Sequence, residues 1–343
     1  MQSLRAALMH GPIPFEQFME IALYGGGGFF RGNMIRSVSD GDFLTSPEVS
    51  PLFGTTVAEF VRQEHGRLGE PFLLVDVGAG SGSLLRSLLA ECPVEAWAVE
   101  VSPPARDSLT RLLPAGRVVT SLVELPSPLR GVVIANELID NLPMALAQKN
   151  DGEWRERWVG LEGDTFVMVD ADPRPEVLDW LNRFAGPVAK GGWVEVQSQA
   201  QAWLSELMSR LIEGSVVIVD YGELAENLSH RREAGTLRTY RGHHLGPDPL
   251  LEPGTTDITA DVNFTALIAT SEESGWTTEL FRQDDFLRKY GLDERLAELR
   301  SREVMAVDAK EKLTLRSERI GGETLLHERG LGDFRVLVIR KGR

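Results

Sequence analysis

Three short stretches combine acidic side chains with backbone features that let a ligand come close. In VVIANELIDNLP (132–143) an apolar run ends in Asn136 and Glu137; Asp140 follows, then the turn signal Asn141-Leu142-Pro143. In VDVGAGSGSLL (75–85) Gly78, Gly80 and Gly82 lie between an apolar strand pattern and a helical one, with Asp76 just ahead of them. In LTSPEVSPLFG (44–54) Thr45, Ser46 and Glu48 surround Pro47 at the start of another helical pattern. Acids at the end of a buried strand can hold a cation, or they can serve a helix end. Asn136 is a good N-cap, and acids in a first turn interact well with the helix dipole.

The glycine loop narrows the ligand class. Glycines permit a tight turn and close approach, and a helix N-terminus offers free N–H groups. Dinucleotide enzymes and S-adenosylmethionine (SAM) enzymes share this geometry, and a turn used only for packing has the same spelling. Asp76 suits the ammonium of a methionine moiety and would repel a pyrophosphate. Glu100 ends the next strand, where a carboxylate can take both ribose hydroxyls. No Lys or Arg lies within the loop. Together these favour SAM. Ser121 follows the third strand, where a polar group can meet the adenine amine or simply face water.

The elements that must position these residues are legible as apolar runs. PFLLVDVGAG, AWAVEVS, GRVVTSL, GVVIANE and SVVIVDYG read as five strands, WTTELFRQ as a sixth and DFRVLVIRKG as a last. SLLRSLLAE and PPARDSLTRLL read as intervening helices. Continuous Val/Ile/Leu strands alternating with helices indicate a parallel sheet covered on both faces, with the more polar terminal pair expected at an edge. Helices are expected near 14–23 and 50–66, flanking Gly25 to Gly28, which read as an entry lid or as a plain connector. The resulting division is 1–70 as an N-terminal helical or lid segment, 71–147 with 195–343 as the main domain, 148–194 as an insertion and 222–262 as an ordered loop excursion. The insertion holds a hairpin turning at Glu162-Gly163-Asp164. The Leu/Trp stripe at AWLSEL is read as core.

Composition sets outer bounds. The 343 residues are 42% hydrophobic, with a formal charge of -15. Such a chain has no electrostatic footprint for phosphate backbones, so nucleic acid is not an expected partner. The acidity suits a cationic ligand and equally suits solubility. Cys92 is the single cysteine; neither a disulfide framework nor a thiolate metal site can be built from it. His243 and His244 are adjacent and lack metal-site spacing, so no metal is expected. No apolar run approaches the roughly 18 residues of a membrane span, and the N-terminus does not read as a secretory signal. The expected location is cytoplasmic.

Seven segments together resemble the MidA-type SAM-dependent methyltransferases: GDFLTSPEVSPLFG (41–54), VDVGAGSGSLL, VEVSP (99–103), IANELIDNLP (134–143), VDYG (219–222), TLRTYRGHH (236–244) and DITADVNFTAL (257–267). The resemblance runs in order through nearly the whole chain. It implies an α/β, Rossmann-like class I methyltransferase sheet of seven strands, mostly parallel with an antiparallel last strand, plus an N-terminal helical cap and insertions. The family includes a mitochondrial assembly factor for respiratory complex I that is a protein arginine methyltransferase. Arginine in a protein substrate is therefore the implied acceptor. A small-molecule acceptor, or a SAM-binding assembly factor acting by contact without turnover, are the alternatives. Two departures leave the acids in place: NELIDNLP stands for the usual Asn-Glu-Phe-(Phe)-Asp-Ala-Leu-Pro, and VEVQ (194–197) for Glu-Ile-Ser.

With a guanidinium acceptor, two cations must meet. Unit charges about 4 Å apart repel by roughly 4 kcal/mol at an effective dielectric near 20. Glu137 and Asp140, with Asn136 shaping the strand end, are the candidates to offset that. If the segment turns helical, the two acids share one face. Glu137 contacting SAM instead of the acceptor is the other option. Thr45 and Glu48 spell a capping box. The resemblance adds that Thr45, Ser46 and Glu48 cover the SAM pocket. The oligomeric state is open.

Overall fold

The computed structural model describes residues 2–32, 45–228, 235–241 and 244–341. Its centre is a seven-stranded sheet: β1 (Leu73–Val77), β2 (Glu95–Val99), β3 (Val118–Val119), β4 (Leu129–Asn136), β5 (Leu211–Asp220), β6 (Trp276–Arg282) and β7 (Arg335–Lys341). The spatial order is β6-β7-β5-β4-β1-β2-β3. β1 to β5 pair in parallel, whereas β7 is antiparallel to both β5 and β6.

Strand periodicity explains the apolar runs. In β4, Val132 and Ile134 join one core cluster while Val133 and Ala135 join the other. β5 and β7 split in the same way, with Val217 and Val338 on one side and Ile218 and Leu337 on the other. Each such Val, Ile or Leu side chain contributes about 1.5–3 kcal/mol on full burial. One face is covered by Pro51–Leu68 and Ser83–Glu91, the other by Ser198–Arg210 and Phe264–Glu273.

Three features differ from the sequence reading. First, β7 is internal: its residues 335–339 are buried and it pairs on both sides, so only β6 is an edge at that end. The polar Arg340 and Lys341 at its end gave the strand an edge-like look. Second, the β6–β7 connection carries helices Gln283–Lys289, Leu292–Met305 and Ala309–Leu325. Their Leu292, Leu296, Leu315 and Leu325 fill the core beside Phe53 and Phe60. Third, the stretch 1–70 divides. Phe15–Tyr24 and the short strand Ile13–Pro14 pack with a second, five-stranded sheet, whereas Pro51–Leu68 belongs to the central core.

That second sheet contains Ala145–Asn150, Glu153–Glu162, Thr165–Ala171 and Trp193–Val196. Glu162 pairs with Thr165 across the Gly163-Asp164 turn. An additional hairpin turns at Asp151-Gly152, both with positive φ (49° and 91°), the type I′ conformation. Within 222–262, Arg238–Arg241, His244–Leu245 and Asp257–Thr259 form a three-stranded antiparallel sheet. It is bolted to the end of β4: Ala260 N–H donates to Asp140 O (3.2 Å), and Asn141 Nδ2 donates to Asp257 Oδ1 (2.9 Å). No helix among the described residues is long and apolar enough to cross a membrane.

Candidate active site

A cleft of about 850 Å³, its open mouth included, lies at the C-terminal ends of β1, β2 and β4. This is where open α/β sheets place their ligands. Eight of the eleven candidate residues line it: Thr45, Glu48, Asp76, Gly78, Gly80, Glu100, Asn136 and Glu137. Ser46, Gly82 and Asp140 do not. Among the described residues that line it, none is Lys, Arg or His.

Asp76 is 2% exposed, and its Oδ2 has no hydrogen-bond partner. Burial, followed by the nearby Glu100, pushes its carboxyl up to about 7. An orphaned carboxylate oxygen facing a cleft fits an ammonium group, which would restore the ionised form. Glu100 is held rigidly: Oε2 accepts from Gly80 N–H and Oε1 from Ser102 N–H, both at 2.8 Å. A carboxylate has about four acceptor sites, so capacity remains for a ligand hydroxyl. Burial raises this carboxyl, and the backbone donors oppose the rise.

Gly78 and Gly80 adopt φ of 72° and 52°, a region that favours glycine. Gly78 N–H donates to Val99 O (2.9 Å), carrying the β1–β2 pairing one step past the end of β1. Gly82, read as a ligand contact, has a packing role. It precedes the helix Ser83–Glu91 with φ 85°, and a Cβ there would sit 3.0 Å from Leu109 Cδ2.

The Thr45–Glu48 capping box does not form, because Thr45 makes no side-chain cap to the turn Ser46–Val49. Glu48 instead accepts hydrogen bonds from the hydroxyls of Ser81 and Ser83 in the glycine loop, the latter at 2.6 Å. Ser46, expected to line the pocket, is fully buried. Its Oγ donates to Gln283 Oε1 (3.2 Å), and its N–H donates to Glu137 Oε1 (3.1 Å). The cap that is present belongs to Ser50, which accepts from Leu52 N–H at the start of Pro51–Leu68.

Glu137 adopts φ 51°, the left-handed region, which costs a non-glycine residue about 1–2 kcal/mol. The chain therefore does not run on as a helix from Asn136, and Glu137 and Asp140 share no helical face. Asn136 ends β4 and caps nothing. Its Nδ2 donates to Glu137 Oε1 (3.3 Å), and its Oδ1 is buried without a partner. Burial, then Asp140, pushes the Glu137 carboxyl up to about 8 against the Ser46 and Asn136 donors.

Asp140, read as facing the acceptor, is turned away from the cleft. Its Oδ2 accepts from Tyr221 Oη and from Thr259 Oγ1 (2.6 Å). It belongs to a 3-10 turn, Ile139–Asn141, held by Asp220, whose Oδ2 accepts from Ile139 N–H (3.0 Å) and Asp140 N–H (3.2 Å).

Other residues enter the site that sequence reasoning did not assign. Tyr24 and Phe30 line the cleft with rings stacked at 5.5 Å, and Tyr24 Oη donates to Asn141 O (3.1 Å). Their signal was two aromatics flanking the glycine run. The run itself is a tight turn: a Cβ on Gly25 would lie 2.5 Å from Ile21 O, and one on Gly28 2.7 Å from Leu23 O. Ser121 is away from the cleft and bonds Glu124 (3.0 Å). Trp203, read as core, is half-buried and lines a second groove that shares Tyr24 and Val101 with the cleft, while Leu204 and Leu207 are core. His244 is exposed, and His243 lies outside the described residues, as do 33–44 of the expected lid. No group of three or more metal-capable side chains occurs among the described residues.

Residues 53–282, well over half of the chain, match the model of a family described as "Putative S-adenosyl-L-methionine-dependent methyltransferase". The chain is 29% identical to the protein arginine methyltransferase NDUFAF7, mitochondrial, of Bos taurus, covering 92% of this chain and 77% of that one. It is 27% identical to the Homo sapiens counterpart, covering 94% and 78%. A Burkholderia thailandensis structure bound to S-adenosyl-homocysteine superposes with a TM-score of 0.86 at 29% identity, over 99% of this chain and 91% of that one.

Proposed function

The chain belongs to this family of SAM-dependent methyltransferases, and from that premise we propose that it methylates a guanidinium nitrogen of arginine in a protein substrate. SAM supplies a methyl group on a cationic sulfur. Asp76 would hold its ammonium, Glu100 its ribose hydroxyls, and Glu48 and Thr45 would close the pocket wall. One observation carries the acceptor assignment: Glu137 is held in a strained backbone conformation that sets its carboxylate in the cleft wall, fastened by Ser46 N–H. Strain kept at a cleft residue is a sign of function. A guanidinium beside it is oriented by charge-assisted hydrogen bonds, and the charge cost of bringing two cations together falls. Methylation releases one proton from the acceptor nitrogen, and the Glu137 carboxylate is placed to take it. The NDUFAF7 relatives are named protein arginine methyltransferases, which supports the same acceptor.

Labelled SAM incubated with fractionated host lysate tests this. The expected result is label in a protein band, mapped by mass spectrometry to methylarginine. Label confined to small molecules, or to lysine or glutamine side chains, would overturn the assignment.

A further inference from the structure

Glu137 accepts one backbone donor from outside its own strand end, Ser46 N–H. Ser46 starts a single helical turn, Ser46–Val49, that has no side-chain cap of its own. So short a turn has little intrinsic stability, and its placement must come from tertiary tethers. At one end Glu48 is tied to Ser81 and Ser83 in the glycine loop. At the other, Ser46 Oγ donates to Gln283 Oε1 at 3.2 Å, across 237 positions of sequence.

Gln283 is itself referenced to the central sheet. It follows β6, and its N–H donates to Phe334 O, just ahead of β7, at 2.7 Å. Both Ser46 and Gln283 are fully buried. The Gln283 amide nitrogen has no partner. A buried, unsatisfied donor costs about 1–3 kcal/mol, so an apolar residue would serve packing better here. The one polar task this side chain performs among the described contacts is to fasten Ser46.

We infer that Gln283 is a positioning residue for Glu137, acting through Ser46: it fixes the turn whose backbone N–H orients the acceptor-side carboxylate. This rests on the reading of Glu137 given above. Gln283 touches neither cofactor nor acceptor, since it does not line the cleft. The Glu48 tether is separate, so loosening Ser46 leaves the cofactor side held.

The test is a carbon-13 NMR titration of the Glu137 carboxyl in the full chain, assigned with Glu137→Gln. Asp140 and Asp220 are the charged groups facing it from neighbouring backbone, and both are retained in every variant. Gln283→Met is near in shape and removes the hydrogen bond together with the unsatisfied donor. Its melting temperature should change little, because losing the unsatisfied amide offsets leaving the buried Ser46 hydroxyl without its acceptor. The Glu137 midpoint should move upward by roughly half a pH unit or more, because a donor to the ionised form is weakened. Ser46→Ala should move it equally, and the double variant no further, as expected of one shared interaction. In turnover, kcat should fall roughly tenfold, with the KM for SAM changed less than about threefold. A Glu137 midpoint unchanged in Gln283→Met and Ser46→Ala overturns the inference. Should the native protein methylate no arginine, the proposed acceptor fails, yet the titration still decides the role of Gln283.

Discussion

Replacing Glu137 by Gln keeps the shape of the side chain and removes a carboxyl pushed up to about 8 by burial and Asp140. Glu137→Gln should lower methyl transfer at least tenfold, about 1.4 kcal/mol of transition-state stabilisation, with SAM affinity nearly unchanged. A fall in melting temperature with specific activity retained would return Glu137 to a structural role. The folded-state values of Asp76 and Glu137 lie above the ordinary carboxylate range, so between that range and about pH 7–8 the folded chain binds more protons than the unfolded one. These groups therefore favour folding most at low pH within the window, and that contribution is lost as pH rises through it. Glu137→Gln should flatten this slope in ligand-free thermal melts measured across the same range. For Asp76 the linkage to cofactor has the opposite sign. An ammonium selects the carboxylate, so SAM affinity should climb as pH rises through about 7 and decline once the ligand's own α-amino group deprotonates, near 7.7–8.0. Calorimetric affinities that are flat between pH 6 and 7.5 would remove Asp76 from the ammonium site.

At the scale of elements, Gly82 and Asp140 are supports that the sequence pattern grouped with the ligand contacts. Gly82→Ala forces a side chain into φ 85° and against Leu109 and Leu112. The expected loss is about 1–3 kcal/mol of stability in denaturant titration. SAM binding per folded molecule should be retained; its selective loss would put Gly82 back in the cleft. Asp140 fastens the 3-10 turn after β4 to Tyr221 and Thr259. Thr259→Val keeps the shape and removes one buried donor to that carboxylate. It should destabilise the fold by about 1–3 kcal/mol, because Asp140, whose Oδ1 already lacks a partner, would lose a second contact.

At the scale of the whole molecule, the cofactor should act as a bridge. The cleft draws its walls from the β1 and β2 loops, the end of β4, the turn at Ser46–Val49 and the aromatics Tyr24 and Phe30. A ligand that binds only the folded state at one hundred times its Kd adds about 2.7 kcal/mol. S-adenosylhomocysteine should therefore raise the melting temperature, and NAD should not. Hydrogen exchange should slow with ligand at 45–54 and at 24–32 together. Protection confined to the glycine loop would show that the N-terminal walls do not close on the ligand.

The sequence by itself determined whatever depends on local periodicity and on residues at strand ends. The unbroken apolar run at 132–135 required a strand covered on both faces, and the helix Ser83–Glu91 was legible from its leucines. Asp76 and Glu100 were readable as cleft residues because the C-terminal end of a parallel strand reaches the same sheet edge regardless of what packs elsewhere. Only the tertiary structure decided where hydrogen bonds spanning long stretches of chain would go. Asp140 turns from the cleft because Tyr221 and Thr259, 81 and 119 positions away, satisfy its carboxylate. Thr45 and Glu48 match a capping spacing, yet the serine hydroxyls 33 and 35 positions from Glu48 take its carboxylate instead. The left-handed turn at Glu137 has no spelling in residue type, since glycine would have been the local choice there. Its N–H is held by Val219 O of β5 at 2.8 Å and its carboxylate by Ser46. Contacts made by the assembled sheet hold a conformation that local preference would reject.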